Sequence, residues 1–224
     1  MELTAHVAST PDDIAKVFAL RAAVFMSEQD CPYDEEFDGN DFCATHMLGL
    51  ADGVPGAVLR IRYFADFAKM ERLAVLPRYR RTFLPKIVVD AGIEVVRRKG
   101  YRMLYGHAQK RLLRFWSKFG LKPIGKNFPL VFSDHEYVEV CAELAPHEEA
   151  ITMMSDPYLI VRPEGKWDAP GVLDKSAERP ATNPVGKPKP RPAHPFTQGQ
   201  ALPTRLPVSG NSVPFPKRAA QHGD

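Results

Sequence analysis

The 224-residue chain has few cysteines and no long apolar run, and both absences narrow what it can be. Its three cysteines, Cys31, Cys43 and Cys141, are too few and too dispersed for a disulfide framework or a zinc cluster, and they fit a reducing compartment. No stretch reaches the roughly 18 consecutive apolar residues of a membrane-spanning helix. The N-terminus lacks the basic head and apolar core of a secretory signal. We therefore expect a cytoplasmic protein without a membrane span.

Sequence patterns for binding metals and nucleic acids are also missing. The acidic run over residues 34–41 has carboxylate density, but not the alternating ligands, central glycine and terminal glutamate of a calcium loop. No zinc-ligand spacing, helix-turn-helix pattern or RNP-like aromatic pattern points to nucleic acid. We therefore predict no metal site and no nucleic-acid partner.

Positive charge is unevenly distributed along the chain. The formal net charge is only +3, yet residues 76–118 contain 12 Lys or Arg against 2 Asp or Glu. Residues 1–75 are acidic, with 6 Lys or Arg against 13 Asp or Glu. Such a basic segment attracts polyanions, either a phosphate-bearing small molecule or an acidic protein, unless it is simply a solvated face.

Proline marks a boundary towards the C-terminus. Twelve of the 21 prolines follow Arg162, and the later sequence has no apolar periodicity with which to bury surface. We predict a folded domain over 1–162 and an extension over 163–174. Tyr158–Val161, as a last strand, and Trp167 are expected to pack back on the domain. We predict a disordered, basic, proline-rich tail over 175–224. The tail is expected to be solubilising, with weak contact to acidic lipid or a proline-binding partner as the alternative.

The region from Met70 to Gly125 is expected to fold as strand, basic turn, helix, strand, helix and strand. The first strand ends before Pro77, which cannot donate to a sheet ladder. The helix after it has Thr82 as N-cap, an apolar stripe at helical spacing and Gly100 as its stop. Free N–H groups at the start of a helix form a natural anion site. The basic residues beside this helix start are Arg78, Arg80 and Arg81.

Hydrophobic periodicity predicts the remaining elements. They are strand Glu2–Val7, helix Pro11–Met26, an acidic loop, strands near Thr45–Leu50 and Ala57–Tyr63, strand Met103–Ala108, helix Arg111–Phe119 and a last strand Glu136–Leu144. Together they give a three-layer α/β/α domain with a mixed, mostly antiparallel sheet. Arg60 and Arg62 share one face of their strand, where they would pair with the acidic loop or extend the basic surface.

Residues from about Ala15 to Cys141 resemble the GNAT N-acyltransferase superfamily, and in particular its ElaA-like acetyltransferases. The resemblance rests on segments that occur in the family's order, namely LRAAVFMSEQDCPYDEEFDGND with THMLGL, AVLRIR, RLAVLPRYR, Ala108-Gln109 and FWSKFGLKPIG. It implies a GNAT-type fold and an enzyme that moves an acyl group from acyl-CoA or acetyl-CoA to the amine of a small acceptor.

Two positions depart from the family's pattern. The family's phosphate loop reads Arg/Gln-x-x-Gly-x-Gly/Ala, whereas here Arg78 or Arg80 leads into Arg81, Phe83 and Pro85. Phe83 and Pro85 hinder close backbone approach, and Pro85 also removes one N–H donor. The family's general-acid tyrosine is replaced by Trp116, and an indole does not supply a proton usefully. These departures favour a non-catalytic module that only binds acyl donors as one alternative.

A second branch of the superfamily also has glycine-poor loops and shares an early run of residues with this chain. The branch contains acyl-homoserine-lactone synthases, N-acyl amino acid synthases and ornithine-lipid acyltransferases. The shared residues are Val24, Phe25, Glu28, Asp34, Phe37, Asp38 and His46. Those enzymes commonly take long acyl groups from an acidic acyl carrier protein, which would suit the basic segment 76–118. A long-chain N-acyl signal or lipid synthase with a carrier-protein donor is therefore another alternative.

The resemblance also implies a set of site residues. The donor would be bound by Leu73, Ala74, Val75, Arg78, Arg80, Arg81, Thr82, Phe83, Gln109 and Trp116. Aminolysis of a thioester requires a base for the ammonium proton, and the candidates, each of which could instead be structural, are Glu71, His107 and His135. The predicted acceptor-binding residues are Arg21, Glu28, Glu36 and Asp38. The acidic run itself indicates either an acceptor-amine site or a latch that closes over the donor, with Arg21 as its internal partner, or else a solvated loop.

Overall fold

A computed structural model of the chain describes residues 1–125 and 130–180, to which the following account refers. Eight strands of this part form one sheet in the order β1-β2-β3-β4-β5-β8-β6, with β7 paired to β8. The strands are β1 Leu3–Val7, β2 Thr45–Ala51, β3 Val54–Tyr63, β4 Ala68–Val75, β5 Met103–Gln109, β6 Lys122–Pro123, β7 Leu130–Phe132 and β8 His135–Glu143. Strands β4 and β5 pair in parallel, whereas the other paired strands are antiparallel. The predicted mixed sheet is therefore confirmed.

Helices cover both faces of this sheet, as predicted. Their bounds are α1 Pro11–Arg21, α2 Ser27–Gln29, α3 Tyr33–Glu36, α4 Leu84–Arg98, α5 Leu113–Trp116 and α6 Pro157–Val161. On one face, Val88 of α4 joins a core cluster with Leu59 and Ile61 of β3. On the other face, Val17 of α1 packs in a separate cluster with Val58. In the part of the chain that the structure describes, no helix has the length and apolar character needed to cross a membrane.

Helix α4 begins at Leu84, with Phe83 as its N-cap, one residue later than predicted. The hydroxyl of Thr82 nevertheless accepts a hydrogen bond from the Leu84 N–H at 3.2 Å, so it satisfies one of the free donors at the helix start. The helix packs closely on β2 because Gly49 has no side chain. A Cβ at that position would lie 2.3 Å from the Cγ2 of Val88.

Three predicted elements differ from the structure. The expected helix Pro11–Met26 is α-helical only to Arg21 and continues as a π-helix over Ala22–Met26, because its buried apolar positions fit either winding. The expected helix Arg111–Phe119 is split into a 3₁₀ turn, α5 and a second 3₁₀ turn. The expected strand Tyr158–Val161 is part of α6, because the Asp156 carboxylate accepts the Tyr158 N–H and caps the turn.

Residues Met1–Glu178 form one compact unit. Trp167 is buried and belongs to the main core cluster, so the extension after residue 162 packs on the domain as expected. The Arg162 guanidinium donates to the Trp167 carbonyl at 2.6 Å and helps to hold this segment. Lys175 lies in a 3₁₀ turn over Asp174–Ala177. From residue 181 onward, the predicted tail lies outside the described residues, and the proposed domain boundaries stay a prediction.

Candidate active site

The candidate site opens where β4 and β5 separate. These parallel strands pair only through Ala68–Met70 and Leu104–Gly106. A cavity of about 430 Å³ lies beyond the paired part, walled by β4, β5, the acidic loop and the β7–β8 hairpin. A cavity of this size is sufficient for a small ligand.

The structure brings eight of the predicted site residues to this cavity. They are Glu36, Asp38, Glu71, Leu73, His107, Gln109, Trp116 and His135. The other nine do not line it, and they are Arg21, Glu28, Ala74, Val75, Arg78, Arg80, Arg81, Thr82 and Phe83. Five of these nine, residues 78 and 80–83, follow β4 and lead into α4, so the predicted residues fall into a cavity group and a loop group.

A β-bulge interrupts β4 beside the cavity. Between the pairs Val58–Ala74 and Arg60–Glu71, two residues of β4, Arg72 and Leu73, lie opposite the single Leu59. Arg72 has φ of +54°, a conformation that non-glycine residues seldom adopt. Bulges re-aim side chains and backbone groups near functional sites, and this one lies at the strand opening.

Two fully buried arginines tie the acidic loop to the sheet. Arg21 donates to the carboxylates of Glu36 and Asp41. Arg60 donates to Asp38 at 2.8 and 2.6 Å and to Asp41 at 2.9 Å. For Arg21 and Arg60 the structure thus shows the predicted alternative of pairing with the acidic loop, whereas Arg62 lies 3.9 Å from Glu71 on β4. Because Arg21 has no exposed surface, the structure gives it the internal role rather than contact with an acceptor.

Asp38 is the most strongly perturbed carboxylate of this group. Burial pushes its pKa up, but hydrogen bonds from Arg60 and from the Asn40 N–H, together with the charge of Arg72, outweigh burial. The pKa of Asp38 therefore lies well below its ordinary value, and the side chain is ionised at neutral pH.

Glu71 lies on the cavity wall with both carboxylate oxygens engaged by cations. Its Oε1 accepts from the Arg60 Nε at 2.9 Å, and its Oε2 lies 2.7 Å from the Lys69 Nζ. A proton taken up by Glu71 would have to compete with these two ion pairs. Its role as the base stays a prediction.

His107 projects from β5 at the cavity without a cationic partner of this kind. Its Nε2 lies 2.8 Å from the Tyr105 hydroxyl, and its ring stacks on Phe132 of the hairpin. Burial, followed by the charge of Lys69, lowers its pKa. The imidazole is therefore neutral at neutral pH and able to accept a proton.

Gln109 and Trp116 line another part of the wall. The Gln109 amide donates to the Tyr137 hydroxyl at 3.1 Å, while its buried Oε1 has no partner within the described residues. Trp116 is 8% exposed and packs against Phe115 and Phe119. It fills space between these rings and the cavity.

Sequence reasoning missed the β7–β8 hairpin as a wall of the site. Ser133 at its tip donates through both its N–H, at 3.1 Å, and its hydroxyl, at 2.6 Å, to Glu35 of the acidic loop. The partners are 98 residues apart, and no local pattern signals their contact. Lys69 was also missed, although its spacing of two from Glu71 places both side chains on one face of the strand.

The loop before α4 presents arginines in two different states. Arg80 is bound by the carboxylate of Glu28 and donates to the Val75 carbonyl at 3.0 Å. Arg81 is exposed, and within the described part of the chain it has no carboxylate partner. Phe83 is 73% exposed and has φ of −79°. At this position the loop therefore does not need the positive φ that glycine supplies.

Comparison with known proteins identifies the family. No family model matches the chain. Over 125 residues it is 32% identical to a candidate acetyltransferase of Bacillus subtilis, a match that covers 54% of this chain and 85% of that protein. The chain belongs to the GNAT N-acyltransferase superfamily. The predicted acyltransferase class is thereby confirmed, and this GNAT protein is an enzyme of that class.

Solved structures agree with the GNAT fold. The candidate N-acetyltransferase of Lactobacillus plantarum superposes with a TM-score of 0.59 at 22% identity, and the match covers 65% of this chain and 100% of that one. ElaA of Escherichia coli gives a TM-score of 0.55 at 22% identity, covering 63% of this chain and 99% of that one. At these identities the likeness establishes the fold alone.

Proposed function

We propose that this GNAT protein transfers an acyl group from acyl-CoA to the amine of a small acceptor in the cavity between β4 and β5. The observation that carries the proposal is the coincidence of the strand opening, the β4 bulge and a neutral histidine at one cavity. The bulge amides around Leu73 are the donors we assign to the acyl carbonyl, whose oxygen gains negative charge during aminolysis.

The loop before α4 fits the phosphates of the donor through side chains rather than glycine amides. Helix α4 has 15 residues, and its start carries the positive end of the helix dipole. Arg81 is exposed and lacks a carboxylate partner in the described residues, and Arg78 lies over the Tyr79 ring at 4.8 Å. Each of these guanidinium groups can donate two parallel hydrogen bonds to the oxygens of one phosphate. Arg80 is occupied by Glu28 and is assigned to hold the loop instead.

We assign the base to His107. The acceptor nitrogen gives a proton to the imidazole and forms a bond to the thioester carbonyl carbon; the carbon–sulfur bond then breaks and the CoA sulfur takes up a proton. Glu71 and His135 line the same cavity and stay alternatives for the base. Glu71 is the less favoured because its carboxylate oxygens are already paired with Arg60 and Lys69.

The test is release of free thiol from acetyl-CoA in the presence of a panel of small amines. We expect amine-dependent thiol release that His107→Gln lowers by roughly 10²–10⁴-fold. Glu71→Gln should lower it much less. The base assignment is wrong if Glu71→Gln abolishes turnover while His107→Gln does not. If acyl-CoA binds but no amine promotes thiol release, the non-catalytic alternative replaces the enzyme proposal for these substrates.

The basic segment 76–118 favours one second candidate, a synthase that takes a long acyl group from acyl carrier protein. An acidic carrier would be attracted by this charge, and the attraction would weaken with salt. The same thiol-release assay with acetyl-CoA, a long-chain acyl-CoA and an acyl carrier protein separates the two. A higher kcat/KM for the carrier that falls steeply with salt would favour the synthase.

A further inference from the structure

We infer that Tyr105 and Glu139 form a hydrogen-bonded relay that positions His107 and leaves its Nδ1 free to accept the proton of the acceptor amine. The inference rests on the proposed function, because it assigns partners to the base proposed above. Tyr105 and Glu139 are positioning residues in this account, since they act on the reaction through the imidazole.

The geometry of the relay is set by two neighbouring strands. Tyr105 and His107 are two residues apart on β5, so their side chains share one face of the sheet. Glu139 lies directly opposite His107 on β8. The Tyr105 hydroxyl is 2.8 Å from the His107 Nε2 and 2.6 Å from the Glu139 Oε1.

The direction of these hydrogen bonds follows from counting protons. A tyrosine hydroxyl has one proton, and an ionised carboxylate can only accept. The hydroxyl therefore donates to Glu139 and accepts from His107. For this to hold, the His107 Nε2 must carry the ring proton, and in the neutral ring the lone pair lies on Nδ1. Burial and the Glu139 carboxylate raise the pKa of Tyr105, so its proton is retained.

The charges that act on the imidazole are those of Lys69 and Glu71 on β4 and Glu139 on β8. The other charged and titratable groups that line the same cavity are Cys31, Glu35, Glu36, Asp38, Arg62, Arg72, His135 and Tyr137. Burial and Lys69 lower the pKa of His107, whereas Glu139 and Glu71 oppose that change. The relay therefore keeps a partly buried imidazole basic enough to accept a proton, while burial keeps it neutral beforehand.

The relay also stabilises the product of the proton transfer. When the amine N–H bond breaks and the Nδ1–H bond forms, the ring becomes positive. Its Nε2–H then donates more strongly to Tyr105, whose hydroxyl remains bound to the negative Glu139. After the carbon–sulfur bond breaks, the proton on Nδ1 returns to the CoA sulfur, directly or through water. This return provides the proton that Trp116 does not supply.

The tautomer is tested by nitrogen-15 NMR of the histidine side chains, with His107 assigned by its loss in His107→Gln. We expect a protonated Nε2 and an unprotonated Nδ1 in the wild-type protein. Tyr105→Phe should leave a mixture of tautomers. Glu139→Gln should lower the pH at which His107 titrates, because it removes a negative charge. The control is Tyr63→Phe. Tyr63 lies on β3 of the same sheet and its hydroxyl donates to Glu164, so its loss should change neither the tautomer nor the titration of His107.

Steady-state kinetics provide a second measurement, which distinguishes positioning of His107 by Tyr105 from a purely structural role of Tyr105. Tyr105→Phe should lower kcat by about tenfold, a small part of the effect of a general base. It should also move the acid limb of the kcat/KM profile to lower pH. In a His107→Gln background the same substitution should have no further effect on kcat, because Tyr105 acts on the reaction only through the imidazole, which that variant lacks.

The inference is overturned if wild-type His107 carries its proton on Nδ1, or if Tyr105→Phe and Glu139→Gln both leave its tautomer and titration unchanged. It is also overturned if Tyr105→Phe lowers kcat equally in both backgrounds. The NMR arm needs no turnover, so it decides the relay even if no amine is acylated. Conversely, if both variants transfer the acyl group while His107 keeps its wild-type tautomer and titration, the relay is ruled out and the proposed function stands. If Tyr105→Phe fails to fold, Glu139→Gln alone gives the titration result.

Discussion

The arginines of this GNAT protein divide into two regions that use the same side chain differently. Arg21 and Arg60 are fully buried, and each is bound by at least two carboxylates. At the start of α4, Arg81 is exposed and, among the described residues, has no carboxylate beside it. A buried arginine that lost its partners would be strongly unfavourable, whereas an exposed one is hydrated and available to an anion. The comparison teaches that burial and carboxylate partners separate the structural arginines from those that are available to bind a ligand.

Arg80 shows that position in the sequence does not decide this division. It precedes Arg81 directly, yet it is bound by Glu28, 52 residues earlier in the chain. The pairing links the loop before α4 to the end of the first helical region. One arginine of the basic turn thus holds the loop in place, and its neighbour is the one that we propose for the donor.

The largest expected effect is on the buried region. Arg60→Met removes the cation shared by Asp38, Asp41 and Glu71, and should lower the free energy of unfolding by about 3–5 kcal/mol, the cost of leaving buried charges uncompensated. Urea denaturation measures this. The matched control, Arg78→Met on the exposed loop, should stay within about 0.5 kcal/mol of wild type. Equal losses in the two variants would break the comparison.

The next effect is on donor binding. Arg81→Gln should weaken acetyl-CoA binding by about tenfold, the scale of one charge-assisted hydrogen bond, while unfolding is unchanged. The loss should shrink as salt rises, because the contact is exposed. Calorimetric titration at two salt concentrations measures both. If Arg81→Gln binds acetyl-CoA at low salt with the wild-type affinity, Arg81 is not part of the donor site.

A pH dependence sharpens the account of the buried region. The pKa of Asp38 is depressed by Arg60, against an ordinary value of 3.8. A carboxylate with a depressed folded-state pKa contributes stability above its unfolded pKa and loses it as pH falls towards the folded value. The wild type should therefore be more stable than Asp38→Asn at pH 6, and the difference should narrow steadily below about pH 4. A difference that is constant from pH 6 to pH 2.5 in denaturant titrations would contradict the ion pair.

The smallest effect concerns the residue that replaces a family glycine. Phe83→Ala should change stability by no more than about 0.5 kcal/mol, since the ring is exposed. It should change the Kd for acetyl-CoA by less than about threefold, which is under 1 kcal/mol. A larger gain in affinity would show that the ring blocks the donor and that the loop needs the missing glycine.

The sequence predicted most of the framework because its periodicities are local. The mixed, mostly antiparallel sheet, the start of α4 to within one residue, and the pairing of Arg21 and Arg60 with the acidic loop followed from spacing, charge and the family resemblance. The π-helix at Ala22–Met26 could not be predicted, since its apolar residues suit either helical winding. The walls of the cavity also escaped prediction, because Ser133 and Glu35 meet only through the tertiary fold.

The choice among candidate bases shows the same limit at the site. Sequence reasoning gave Glu71, His107 and His135 similar standing. The structure distinguishes them by their partners, two cations for Glu71 and a tyrosine hydroxyl for His107. Tyr105 and Lys69 each lie two residues from their partner on the same strand, but the contact of Arg60 with Glu71 depends on the register between β3 and β4, and register across strands is not written in any local pattern.

Amine-dependent release of CoA thiol from acetyl-CoA by wild type, His107→Gln and Arg81→Gln tests the central claim most directly. The account predicts turnover by wild type, a kcat loss in His107→Gln with little change in KM, and a raised KM for acetyl-CoA in Arg81→Gln with little change in kcat. Wild-type turnover that is insensitive to both substitutions would contradict the assignment of the chemistry to the strand opening and of the donor phosphates to the α4 loop.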